Sequence, residues 1–354
     1  MSTSALQRQS VSQKRTMAVE NPTGMQILQW ISHIAGYRIF KMSAGKQHRH
    51  SQQTSSSGKQ LVLLSVRDWD TLCIAAQFSN SLALFLPLDE SVPLLEQQLG
   101  YRMDVVKPLN TGIPAVGQKA VFFRYNTTRL VLAFEATKPK EMIMNAWSHG
   151  KDKKWNSVPY ARYRDGRQVH SFYLDMWLGM RKATLEALTD NILEVEHSDQ
   201  VPSSFIVSGH SMGGGISTLA IIDIIEHLRT SFGSLSTQPR PWALDEKLGS
   251  FIRHITFAEF AASGQAYNEH LNEYYARYAI LGIDLVHPFD FTTRLHLPFF
   301  RAWRGHRYVL PSASVKPFEK EYAAGRHDMP GYLRSVEWLR DNPRELVSLY
   351  DYGR

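Results

Sequence analysis

Ser211 lies in Gly209-His210-Ser211-Met212-Gly213, a G-x-S-x-G pentapeptide set between an apolar run, Phe205 to Val207, and an apolar helical pattern through Ile216, Leu219, Ala220 and Ile222 to Ile225. A serine hydroxyl is a poor nucleophile at neutral pH. It needs a base within hydrogen-bond reach and N–H donors facing the oxyanion that its attack creates. The pentapeptide supplies a sharp strand-to-helix turn that exposes the serine, the nucleophile elbow. Gly209 and Gly213 flank the serine where side chains would crowd that turn, and Gly214 and Gly215 let the helix approach the strand closely. Val201-Pro202 breaks the chain just before the strand, as the motif's context requires.

The elements that must hold such a site follow from periodicity. Leu61 to Val66 reads as an opening strand and Asp68 to Leu82 as a helix. Ala120 to Tyr125 and Leu130 to Phe134 read as a hairpin turning at Asn126-Thr127-Thr128. A helix is expected within Phe172 to Leu193, a strand at His254 to Phe257 and a final helix at Gly331 to Arg340. Strands alternating with helices predict an α/β fold, a mostly parallel sheet with helices on both faces.

With 354 residues and 43% hydrophobic content, the chain can bury one large core, assigned to residues 61–354. Its net charge of +7 lies entirely in residues 1–60, which hold eight Lys or Arg and a single acid, Glu20. The rest of the chain is neutral. This N-terminal segment lacks the continuous apolar core of a secretory signal, and no run in the chain is long enough to span a bilayer. Met25, Leu28, Trp30, Ile31 and Ile34 give it a short apolar face, suited to an anionic membrane surface or to docking on the main domain. Nothing beyond that charge supports nucleic-acid binding. The lone Cys73 excludes an intrachain disulfide and leaves the compartment open.

Taken in order, several stretches resemble the class 3 (fungal-type) lipases of the α/β-hydrolase fold, over roughly Leu61 to Arg340. LVLAFEAT, ending at Thr137, stands where that family has an apolar strand closing on Arg-Gly-Thr/Ser; VHSFY, from Val169, resembles its Val-His-x-Gly-Phe; and GHSMGG resembles its Gly-His-Ser-Leu-Gly-Gly. ITFAEFAASGQAY, GIDLVHPF and GRHDMPGYL stand in the places of its Thr-Phe-Gly, Asp-x-Val-Pro and His-x-x-x-x-Tyr-Leu stretches. Glu135-Ala136 replaces Arg-Gly, and AEFAAS replaces Gly-x-Pro-Arg-Val-Gly, so the chain resembles a divergent member.

The resemblance implies a hydrolase of lipid esters, lipase or phospholipase, with no metal and no cofactor. In this fold the order along the chain is serine, acid, histidine. Asp284 is the expected acid, because it follows the apolar run Tyr278 to Ile283 and so falls at the carboxyl end of a strand; Asp290 and Glu273 are the other downstream candidates. His327 is the expected base, with His306 as the alternative and His270, His287 and His296 also downstream. The oxyanion donors implied are the amide of Met212 and, by resemblance, Thr137. Glu135 beside them would oppose an anionic intermediate if it faced the site. Met142, Ile143, Met144 and Trp147, with basic flanks, occupy the place of the family's lid and suit adsorption to a lipid interface, or else form an ordinary packed helix. The altered Glu135-Ala136 and Ala258 to Ser263 segments also fit a scaffold that binds lipid or a protein partner without turnover.

Overall fold

The computed structural model describes residues 64–138, 141, 157–159, 168–287, 290, 307–310, 327–345 and 347–348. The expected N-terminal segment, the lid residues Met142, Ile143, Met144 and Trp147, and His296 and His306 lie outside them.

The chain enters through α1, Val66–Ala83, and α2, Leu88–Leu99. The expected opening strand at 61–66 is not what Ser65 and Val66 form. Ser65 is instead the N-cap of α1: its hydroxyl accepts from the Asp68 amide while the Asp68 carboxylate accepts from the Ser65 amide. That reciprocal capping box satisfies two otherwise orphaned donors and outweighs the β preference of the apolar residues before it. β1 (Met103–Asn110), β2 (Gln118–Tyr125) and β3 (Arg129–Phe134) follow as an antiparallel meander. Asn126 and Thr127, both at positive φ, form the β2–β3 turn at the expected place.

From β3 the sheet becomes parallel through β6 (Ser204–His210), β7 (Ile252–Phe257), β8 (Leu281–Val286) and β9 (Arg307–Val309), and β10 (Val347–Ser348) closes it antiparallel. Among the described residues this gives eight strands in the order β1-β2-β3-β6-β7-β8-β9-β10, with β4 (Ser157–Pro159) and β5 (Gln168–His170) as a separate pair. The remaining long helices are α3 (Ser171–His197), α4 (Met212–Ser231), α5 (Gln265–Tyr278) and α6 (Met329–Asp341).

Strand side chains alternate between two cores. Leu130, Leu132, Phe134, Phe205 and Val207 face α3, α4 and α5, while Val131, Ala133, Ile206, Ile255 and Ile283 face α1 and α6. The period of two along buried strands thus builds a three-layer sandwich. Cys73 is buried on α1, where burial pushes its thiol up to about 11; its charged surroundings include Arg340, Glu337 and Asp341 of α6.

His254 on β7 is fully buried under α4 and α5, with Nε2 2.8 Å from the Ser217 hydroxyl and Nδ1 2.5 Å from the Tyr275 hydroxyl. Burial lowers its pKa from 6.5 to about 3, so between those values only the unfolded chain takes up the proton and stability falls as pH falls. In His254→Gln, the slope of unfolding free energy against pH between pH 6 and pH 4, from urea titrations, should be shallower than wild type by about 1.4 kcal/mol per unit.

Candidate functional site

β6 and α4 are joined by Ser211 alone, at φ 57° and ψ −122°. A side-chain-bearing residue there costs roughly 1–3 kcal/mol and persists only where the surroundings fix it. Here the Ser211 amide donates to Phe257 O at 2.9 Å, and the Ser211 carbonyl accepts from Phe260 N at 3.0 Å. The end of β7 thereby grips the elbow. A Cβ on Gly213 would come within 2.6 Å of the carbonyl oxygens of both Phe134 and Glu135, so the chain leaving β3 passes directly against the start of α4.

His327 lies just before α6 and reaches back to the elbow. Its Nε2 is 2.8 Å from Ser211 Oγ, and its Nδ1 is 2.9 Å from Asp290 Oδ2 and 3.1 Å from Oδ1. With Nδ1 donating to the carboxylate, Nε2 is left to accept the serine proton. Asp290 is fully buried, whereas the His327 side chain is 20% exposed. Tyr332, on the first turn of α6, donates its hydroxyl to Asp290 Oδ2 at 2.7 Å and accepts from the His287 amide at 2.9 Å. The His287 ring stacks on Tyr332 at 4.0 Å, with its Nε2 3.1 Å from Ser335 Oγ. Burial and the Asp290 carboxylate push the Tyr332 phenol well above its ordinary range, which keeps it a donor.

The expected acid is therefore corrected. Asp284 does not reach His327; it is sealed inside the sheet, with Oδ2 2.5 Å from Arg307 Nε and Oδ1 accepting from Thr256 Oγ1 at 2.9 Å and the Glu259 amide at 3.0 Å. The physical reason is strand length. β8 runs on through Leu285 and Val286, leaving Asp284 in its interior and Asp290 four residues past its end. The pair Leu285-Val286 after Asp284 was the available signal. Of the other candidates, His270 and Glu273 face each other on α5, 3.3 Å apart.

Met212 opens α4 and is buried, and Thr137 follows β3 half-buried. Glu135, in the place of the family's arginine, accepts from Gln118 Nε2 at 2.5 Å and lies 2.6 Å from Lys138 Nζ. Its charge is spent on those partners. His210 is buried beside His327 with ring centres 4.7 Å apart. Burial, reinforced by the His327 charge, lowers its pKa to about 3, so it stays neutral when His327 takes a proton. Burial and the Asp284 carboxylate push the Glu259 carboxyl well above its ordinary range. Among the described residues no group of three or more His, Cys, Asp or Glu could hold a metal ion, and no helix is long and apolar enough to cross a membrane.

Residues 131–295 match the family described as Lipase (class 3). In overall shape the chain is similar to the triacylglyceride lipase of Rhizomucor miehei, with a TM-score of 0.51 at 14% identity over 71% of this chain and 83% of that one. It is also similar to the native propeptide complex of the Rhizomucor miehei lipase, with a TM-score of 0.50 at 14% identity over 76% and 77%. A third solved structure, a triacylglycerol lipase described as having a serine protease triad at its catalytic centre, gives 0.51 at 14% over 72% and 83%. At these identities the likeness is one of fold. No curated protein sequence matches the chain.

Proposed function

We propose that the chain, whose residues 131–295 match the Lipase (class 3) family, hydrolyses carboxylic esters of lipids with Ser211 as nucleophile, His327 as general base and then acid, and Asp290 as the carboxylate that orients it. The observation that carries this reading is the unbroken relay of 2.8 Å and 2.9 Å from Ser211 through His327 to Asp290.

In the proposed cycle, Ser211 Oγ attacks the acyl carbonyl as its proton passes to His327 Nε2. Asp290 stabilises the imidazolium without accepting the proton, and the carbonyl π electrons move onto oxygen. The Met212 amide, with the amide and hydroxyl of Thr137, donates to that oxyanion. Collapse expels the alcohol, which takes the proton from His327, and leaves the acyl on Ser211. A water, deprotonated by His327, then attacks the acyl carbonyl; collapse breaks the bond to Ser211 Oγ, which takes the proton back from His327 as the fatty acid leaves. No step calls for a metal or a cofactor.

The lid role of Met142, Ile143, Met144 and Trp147, and contact of the basic residues 1–60 with an anionic membrane, belong to the same proposal and rest on the sequence. That charge favours phospholipid slightly over neutral glyceride. Two measurements test the reading: fatty-acid release from triacylglycerol emulsions and anionic phospholipid vesicles, and capture of a fluorophosphonate located by peptide mass spectrometry. Release with the adduct on Ser211 is expected. No release and no adduct would leave the non-catalytic scaffold in its place, and release to an added alcohol in preference to water would make the protein an acyltransferase.

A further inference from the structure

Lys119 lies at the start of β2, one strand in from the β1 edge of the sheet, and is fully buried. An ammonium there is expensive unless its donors are used. Two of them are: Nζ donates to Ala136 O at 2.5 Å and to Glu141 Oε2 at 2.6 Å. Glu141 is itself 1% exposed, and the same Oε2 accepts from the Lys138 amide at 2.8 Å. Two backbone bonds complete the arrangement, Glu135 N to Lys119 O and Glu141 N to Lys138 O, each 2.9 Å. The peptide groups on both sides of Thr137 are therefore fastened to one buried ion pair.

The outer flank of the segment borders a cavity of about 260 Å³ lined by Leu82, Phe85, Leu86, Gln118, Glu135 and Lys138 among others. Its inner flank is backbone, the Phe134 and Glu135 carbonyls lying against Gly213. The Lys119–Glu141 pair ties the segment between that cavity and that backbone.

We propose that Lys119 and Glu141 are positioning residues which hold Thr137 in its donor geometry for the oxyanion, so that the buried pair acts on transition-state stabilisation through the 135–138 backbone. This rests on the hydrolase reading and adds to it two residues that touch neither substrate nor Ser211. Burial pulls the Lys119 ammonium below its ordinary range and Glu141 opposes that pull, so removing the Glu141 charge also weakens the hold on Ala136 O. Glu141 directly precedes Met142, so the tie ends where the proposed lid sequence begins.

The test compares wild type with Lys119→Met, Glu141→Gln and the double variant Lys119→Met/Glu141→Leu. The double exchanges both charges for apolar groups of similar volume, so no unpaired charge is left to prevent folding. Readouts are kcat and KM on a soluble p-nitrophenyl ester, the inhibition constant of butylboronic acid, whose tetrahedral adduct on Ser211 needs the oxyanion donors, and the melting temperature. In each variant that folds, kcat should fall about 10- to 100-fold, the range expected when a donor is displaced by around 1 Å, with KM little changed. Boronate affinity should fall in step, and the double should be no slower than the worse single, because either change already frees the loop. Folded variants that keep wild-type kcat and boronate affinity, or that lose only melting temperature, overturn the clamp while leaving an active wild type as evidence for the hydrolase. An inert wild type overturns both.

Discussion

Asp290→Asn should lower kcat on a soluble ester by about 10⁴-fold while leaving the melting temperature within a few degrees of wild type. Among the described residues two donors reach the carboxylate, His327 Nδ1–H at 2.9 Å and the Tyr332 hydroxyl at 2.7 Å. An asparagine keeps the shape, but one of its positions is an NH₂ donor that favours the tautomer with its proton on Nε2, where Ser211 needs an acceptor. It also withdraws the negative charge that stabilises the imidazolium. The fold should survive, because Tyr332 stays anchored to the His287 amide and ring. Kinetics and a thermal melt on one preparation check this. A variant keeping a tenth of wild-type activity would remove Asp290 from the relay.

Asp284→Asn should do the reverse, costing about 3–5 kcal/mol of stability while the protein that stays folded keeps its turnover. Asp284 and Arg307 are buried to 0% and 4% side-chain exposure, so deleting one charge strands the other in the interior. The pair also grips one residue from both ends: Asp284 accepts from the Glu259 amide, and Arg307 Nη2 donates to the Glu259 carbonyl at 2.9 Å. Glu259 directly precedes Phe260, whose amide holds the Ser211 carbonyl, so the loss is felt in the loop on which the elbow leans. Urea unfolding followed by tryptophan fluorescence gives the stability, and kcat per fluorophosphonate-titrated site gives the turnover. Wild-type stability with a large fall in kcat per site would return Asp284 to the relay and remove Asp290.

The contrast between these two aspartates shows where sequence patterns stop being sufficient. Elements coded by local chemistry were legible: the glycines around Ser211, the β2–β3 turn, and the apolar periods of α3, α4 and β7. At the end of the 61–66 stretch Ser65 and Val66 misled, because Ser65 and Asp68 cap a helix at a point where hydrophobicity alone favours a strand. The carboxylate misled for a different reason. A strand's end is set by its neighbours' register, and Leu285 and Val286 remain in the sheet because β7 and β9 pair with them. Lys119 carried no local signal at all. Its partners lie 17 and 22 residues away, and only the fold brings them to its ammonium.

The packing of α6 on α1 joins thiol accessibility to active-site geometry. Cys73 is covered where those helices meet, and Tyr332, from the same α6, steadies the Asp290 carboxylate. A fluctuation that lifts α6 uncovers the sulfur and loosens the relay in a single event. The chain's one thiol is thus a built-in clock for how often the proposed catalytic arrangement comes apart, readable by its alkylation rate in the unmodified protein.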